Sequence, residues 1–333
     1  MRITRRLPVA FLGLTLALTA CGTDASEPED AEEATTETAS ADCGAPEAPA
    51  DRAPIGDGTF PVTVTDALGE VTVEEAPERI VSLSPSNTES LFAIGAGDQV
   101  EAVDEFSDHP EEAPTTDLSG FIPNVEAISE YDPDLVILSD SAIDTAEQLV
   151  AVDIPTLVLP GATDLEDVYA QTRLLGEVTG NTEEADTEAD RIETEFNEVV
   201  EAACAELGDT VLTFYQELDE TLFSATSATF VGQIYDAFGL RNIADQAADG
   251  ESGGYPQLST EFVVEENPDL IFVSYGDEST IEAIAERPAF DTVAAVENDA
   301  VHLLDADIAS RWGPRVVDFA ELVGEAVKES AGR

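Results

Sequence analysis

Apolar and polar positions change their period along this chain, and the changes mark out its elements. Phe60-Pro61-Val62-Thr63-Val64-Thr65 alternates with period two, as a half-buried strand does. Residues 66–69 read as a turn and Val71-Thr72-Val73 as the returning strand. Arg79-Ile80-Val81-Ser82-Leu83 is a short apolar strand that stops at Ser84-Pro85-Ser86. A helix is predicted from there to Ile94, with Ser86-Asn87-Thr88-Glu89 in the form of a capping box and Gly95 as its stop. Further strands read at 99–103, 135–138 and 156–159, with helical segments between them. From about Leu165 to Leu207 the pattern is helical, with a break near Gly180-Asn181. The second part carries Ile192, Phe196, Val199, Val200 and Ala203 at helical spacing, and Gly208 ends it. Some 25 residues there make a rod about 38 Å long. The strand–helix alternation then restarts at 211–215, with a helix at 230–238 and strands at 242–243, 270–273 and 301–304. An amphipathic helix closes the chain at about 315–330. Strands alternating with helices predict an α/β protein with parallel sheets.

The pattern also repeats. Asn124-Val125-Glu126-Ala127-Ile128 leads to Pro133-Asp134-Leu135-Val136-Ile137. At an offset of 135 residues, Ser259-Thr260-Glu261-Phe262-Val263 leads to Pro268-Asp269-Leu270-Ile271-Phe272. In each copy a cap residue starts a helix, a glutamate follows two positions later, and Pro-Asp opens a buried strand. Two similar α/β lobes joined by one long helix is the economical reading.

Ahead of this pattern, Arg2, Arg5 and Arg6 precede a short apolar stretch over residues 7–18, too short to span a membrane comfortably. Leu18-Thr19-Ala20-Cys21 follows, and the whole resembles a bacterial lipoprotein signal. That resemblance implies removal of the signal, lipidation of Cys21 and an extracytoplasmic protein anchored to a membrane. Residues 22–57 hold eleven Asp and Glu, one Arg and no apolar periodicity, so they are expected to be a disordered acidic tether. With Cys21 lipidated, Cys43 and Cys204 remain, an even pair that in an oxidising compartment implies a disulfide. The expected organisation is signal and lipidated cysteine at 1–21, tether at 22–57, N-terminal lobe at 58–162, connecting helices at 163–208 and C-terminal lobe at 209–333.

Composition narrows the function classes. Seventy-two acidic residues stand against 13 basic ones, a net charge of −59, which repels phosphate backbones and argues against nucleic-acid binding. Two histidines and a single methionine argue against a His-rich zinc or manganese site and against His/Met haem ligation. Neither a metal site nor a cofactor of the chain's own is expected. No Walker motif is present to power transport.

Several runs together resemble the solute-binding proteins of ABC importers for cobalamin and ferric siderophores. They are the 79–89 run, Ser107-Asp108-His109-Pro110, the two repeat copies, and Arg311-Trp312-Gly313-Pro314-Arg315. The resemblance covers residues from about 60 to 330 and implies two Rossmann-like lobes bridged by one long rigid helix, with the ligand between them. It implies a monomer that docks on a permease through one glutamate per lobe, here Glu126 and Glu261. Each glutamate also sits in the first turn of a helix, where its charge favours the dipole.

Open α/β sheets bind ligands at the C-terminal ends of their strands. The loops expected there carry Ser84, Ser86, Phe106, His109, Phe121, Tyr215, Phe223, Tyr255, Arg311, Trp312 and Arg315. Aromatic faces suit a large chelate, and Arg311 and Arg315 suit carboxylate or metal-bound oxygens. A lone aromatic can equally be core. The arginine-flanked tryptophan resembles siderophore binders and the first-lobe runs resemble cobalamin binders. A ferric siderophore is therefore the favoured metal chelate, ahead of cobalamin and then haem. Two other classes compete. Gly250-Glu251-Ser252-Gly253-Gly254 has the form of a nucleophile elbow, with His302 downstream, as in a secreted serine hydrolase or esterase using Ser252. The elbow follows a loop rather than a buried strand, and Pro256 stands where its helix would begin. A non-transport receptor or adhesion lipoprotein could reuse the same fold.

Overall fold

The computed structural model describes residues 43–44, 56, 58–248 and 250–332. Cys21, the signal and most of the expected tether lie outside these. A hairpin of β1 (Val62–Thr65) and β2 (Glu70–Val73) opens the domain, as the alternation predicts. The N-terminal lobe is a five-stranded parallel sheet in the order β5-β4-β3-β6-β7. Its strands are β3 (Ile80–Leu83), β4 (Val100–Asp104), β5 (Thr115–Leu118), β6 (Leu135–Ser139) and β7 (Thr156–Leu159). Strand β5 escapes the pattern reading, because Thr-Thr-Asp-Leu at the sheet edge carries little apolar signal.

Alternation sorts each strand between two cores. Ile80, Leu135, Ile137, Leu157 and Leu159 face one cluster, which includes the hairpin valines and Leu91. Val81, Leu83, Val136, Leu138 and Val158 face the other. A parallel sheet covered on both faces needs this continuous apolar character. Helices α1 (Pro85–Ala93), α2 (Val125–Ser129) and α3 (Ile143–Ala151) belong to this lobe.

Two helices then run antiparallel across both lobes. α4 (Leu165–Thr179) ends at Gly180, whose φ of +78° suits a residue without Cβ, and α5 (Thr182–Leu207) follows. At 26 residues α5 is the long rod that the periodicity predicts. The bridge is shared, however. Leu165, Val168 and Tyr169 of α4 enter the C-terminal core while its Leu175 and Val178 enter the N-terminal one. Ala185 of α5 packs with the N-terminal core, and the stretch from Ala189 to Leu207 with the C-terminal one. The two helices approach closely at Gly176, where an added Cβ would stand 2.3 Å from that of Ala185. Arg173 of α4 clamps the pair through Asp186 (3.2 Å) and Asp190 (2.7 Å) of α5.

The C-terminal lobe is a four-stranded parallel sheet in the order β11-β10-β8-β9. These strands are β8 (Thr213–Glu217), β9 (Arg241–Asn242), β10 (Leu270–Val273) and β11 (Val301–Leu303). With them come α6 (Phe230–Ala237), α7 (Thr260–Glu266), α8 (Glu278–Ala285), α9 (Ala294–Glu297) and α10 (Val316–Ala331). Cys43 and Cys204 form a disulfide that fixes the N-terminal segment to α5, and the Gly44 amide donates to the Ala237 carbonyl at 2.9 Å. Among the described residues no helix is long and apolar enough to cross a membrane.

Candidate functional site

Strand ends of the N-terminal lobe and one loop of the C-terminal lobe enclose a cleft of about 480 Å³. Ser84, Pro85 and Ser86 follow β3, Asp104 ends β4 and Phe106 follows it, Gly120 and Phe121 follow β5, and Ser139 ends β6 with Asp140 and Ser141 after it. Asp307, Ser310, Arg311 and Trp312 supply the opposite wall. Phe106 and Phe121 meet edge to face, with ring centroids 5.6 Å apart, and both remain substantially exposed. The Trp312 ring lies against Gly161 and against the C-terminal core. This is the place that strand topology assigns to a ligand.

Of the eleven expected contact residues, Ser84, Ser86, Phe106, Phe121, Arg311 and Trp312 line this cleft. The other five do not. Tyr215 is wholly buried on β8, its hydroxyl 3.2 Å from Glu217, because the strand begins two residues later than the apolar run suggests and carries Tyr215 into the core. Phe223 and Tyr255 are partly exposed outside the lining, the former in a bridge to Gln257. His109 is exposed outside the lining as well.

Arg315 is engaged elsewhere, and so is the partner that its sequence context disguised. The expected capping box at Ser86 does not form. Ser84 is the N-cap with Pro85 at the first helical position, so Glu89 lies in the body of α1. There it is 3% exposed and pairs across the lobes. Arg315 donates to Glu89 at 3.0 Å through Nε and 2.6 Å through Nη2, and Arg311 donates at 2.9 Å through Nη1. Arg311 also donates to the Phe106 carbonyl at 2.9 Å and meets Asp307 at 2.8 Å and Asp108 at 3.3 Å. The Trp312 amide donates to Ser86 Oγ at 3.1 Å. The hydrogen bonds that Arg315 donates to Glu89 push its pKa further above its already high value.

Asp104 lines the cleft and is nearly inaccessible. Burial raises its pKa above the usual carboxylate value of 3.8, against the hydrogen bonds from Ser107 Oγ (2.6 Å) and the Phe106 amide (2.9 Å). A second buried carboxylate, Glu217 at the end of β8, takes both arms of Arg287 at 2.6 Å and the Tyr275 hydroxyl at 2.5 Å. Burial, then Glu217, raises the Tyr275 pKa to about 12. No cluster of three or more His, Cys, Asp or Glu among the described residues could hold a metal ion.

The hydrolase constellation is not assembled. Ser252 sits in a loop that follows β9 and a 3-10 turn, without the strand and helix that make an elbow. His302 lies on β11, at the opposite edge of the sheet from β9, and stacks on Phe272. The repeat copies do form matching helices. Asn124 caps α2 and Ser259 caps α7, leaving Glu126 and Glu261 exposed in equivalent first turns.

Residues 80–308 match the family model described as periplasmic binding protein. An uncharacterized ABC transporter substrate-binding lipoprotein of Bacillus subtilis is 29% identical over 276 residues, 80% of this chain and 86% of the relative. A cobalamin-binding protein of Halobacterium salinarum is 29% identical over 299 residues, 86% and 79% of the two chains. The crystal structure of the periplasmic vitamin B12-binding protein of Vibrio cholerae superposes with a TM-score of 0.63 at 26% identity, covering 78% of this chain and 99% of the other.

Proposed function

Since this chain belongs to the periplasmic binding protein family, and is a solute-binding component of an ABC importer rather than an enzyme, we propose that its cargo is a cobalamin-type corrinoid. The observation that carries this reading is the charge of the cleft. Asp104, Asp140 and Asp307 line it, and its one lining cation, Arg311, is already paired inside the fold. A polyanionic chelate would bring further negative charge against those carboxylates without a free guanidinium to meet it. A corrinoid bears no such charge. Its macrocycle suits Phe106, Phe121 and Trp312, and its peripheral amides suit Ser84, Ser139 and Ser141. The ferric siderophore favoured by sequence rested on the likeness of the arginine-flanked tryptophan to siderophore binders; Arg311 and Arg315, which would meet its oxygens, are both engaged by Glu89. Haem brings two propionates to the same carboxylates. The cobalamin-binding relative from Halobacterium salinarum supports the same choice.

The remaining assignments complete the reading. Lipidation at Cys21 anchors the protein outside the cytoplasm, and Glu126 and Glu261 dock it, as a monomer, on the permease. The test is a titration of the purified protein with cyanocobalamin, a ferric hydroxamate, a ferric catecholate and haem. Fluorescence of Trp312, the only tryptophan, reports binding because it lines the cleft. Submicromolar, saturable quenching by cyanocobalamin is expected. Preference for the catecholate or haem would refute the corrinoid reading.

A further inference from the structure

Glu89 lies behind the cleft wall, and the way it occupies both arginines has a consequence for selectivity. It projects from α1 of the N-terminal lobe, and both guanidinium groups come from the C-terminal loop at 311–315. Oε1 accepts from Arg311 and Arg315, and Oε2 accepts from Arg315. The other arm of Arg311 is taken by the Phe106 carbonyl and Asp307, with Asp108 on both arms. Each arginine is thus engaged by the protein's own carboxylates, although Arg311 borders the ligand space. We infer that Glu89 is a specificity-determining residue: by holding Arg311 and Arg315 across the lobe boundary it withholds both cations from the solute and sets the cleft against anionic chelates.

The electrostatics follow from proximity and burial. Glu89, Asp108 and Asp307 contact the two guanidinium groups, and Asp104 and Asp140 share the cleft lining with Arg311, so carboxylates are in excess. Glu89 is the most buried of those that contact the arginines, and water screens it least. Removing its charge while keeping its shape would take from Arg315 the carboxylate it donates to, and would leave Arg311, at the edge of the ligand space, only the solvent-screened Asp108 and Asp307. Planar, fork-like donors of that kind recognise carboxylates and metal-bound oxyanions. A residue that never touches the solute would therefore decide which charge class of solute is accepted. Glu89 also clamps the lobes, and a clamp alone predicts a different result: its loss weakens every ligand alike.

The inference rests on reading the cleft as the solute site, and the experiment separates the two. Affinities of the wild type, Glu89→Gln and Glu89→Asp are measured for neutral cyanocobalamin, a neutral or cationic ferric hydroxamate and a trianionic ferric tris-catecholate. The preference for the anionic over the uncharged chelate is expected to rise about tenfold or more in Glu89→Gln. Glu89→Asp should restore the wild-type ratio. Equal loss for every ligand, or an unchanged ratio, would overturn the inference. Wild-type binding of the hydroxamate without cyanocobalamin would reject the corrinoid while the ratio still tests Glu89. If Glu89→Gln does not fold, Arg315→Gln serves: it removes a cation outside the cleft lining and should shift the ratio the opposite way, and an unchanged ratio there also overturns the inference.

Discussion

Asp104 shows how a single residue can carry a charge that its surroundings disfavour. It is 1% exposed, and desolvation raises its pKa in spite of Ser107 and Phe106. For a carboxyl raised in the folded state, the stabilising contribution is complete below the ordinary value of 3.8 and is lost as pH rises through the raised value. At neutral pH the ionised group therefore costs stability. Asp104→Asn keeps the shape without that charge, so it should melt higher than wild type at pH 7, with the gap closing as pH falls to 4. Thermal melts across that range check it, and a gap that widens toward acid would contradict the sign. Residue chemistry was only partly legible in sequence. Ser84, Ser86, Phe106, Phe121, Arg311 and Trp312 could be placed because strand ends announce the loops that follow them. Glu89 was misread because Ser-x-x-Glu has the same form whether or not it caps. The Pro85 that moves the helix start forward was the signal that could have corrected it.

At the scale of elements, Glu217 ties three segments of the C-terminal lobe. It ends β8, takes the Tyr275 hydroxyl beyond β10 and receives both arms of Arg287 beyond α8. Glu217 is wholly buried and Arg287 largely so. Glu217→Ala would leave that cation and two tyrosine hydroxyls without their acceptor, a loss of about 3–5 kcal/mol. Denaturant unfolding should show it as a lower midpoint at unchanged slope. Arg287 carried no motif, so sequence offered no hint of this cluster; its partner is 70 residues away. The elements themselves were far more legible. β7, β10 and the closing helix follow directly from apolar period, and α5 from its stripe. α4 was visible as one of the connecting helices, but its apolar face does not say which of two cores each end enters.

For the whole molecule, the two-fold repeat places Glu126 and Glu261 in equivalent, exposed first turns, one per lobe. If they dock the permease, Glu126→Lys together with Glu261→Lys should abolish uptake by cells while leaving solute affinity within about twofold, since neither lines the cleft. A large loss of affinity would remove the docking role. The repeat also explains why the lobes look alike while the cleft does not. Its walls are unequal, with strand ends from the N-terminal lobe on one side and the 307–312 loop on the other.

Local order was readable from the residues in line: the periods of the strands and helices, the stops at Gly180 and Gly208, the repeated cap-Glu-Pro-Asp unit, and an acidic balance that argues against nucleic acid. These depend on neighbours a few residues apart, and a chain carries that information in its own spacing. Tertiary structure alone decided which charges are free. Glu89 meets Arg311 and Arg315 across more than 220 residues of chain. Pairing at that distance has no periodic signature, because it is set by how two lobes close on one another.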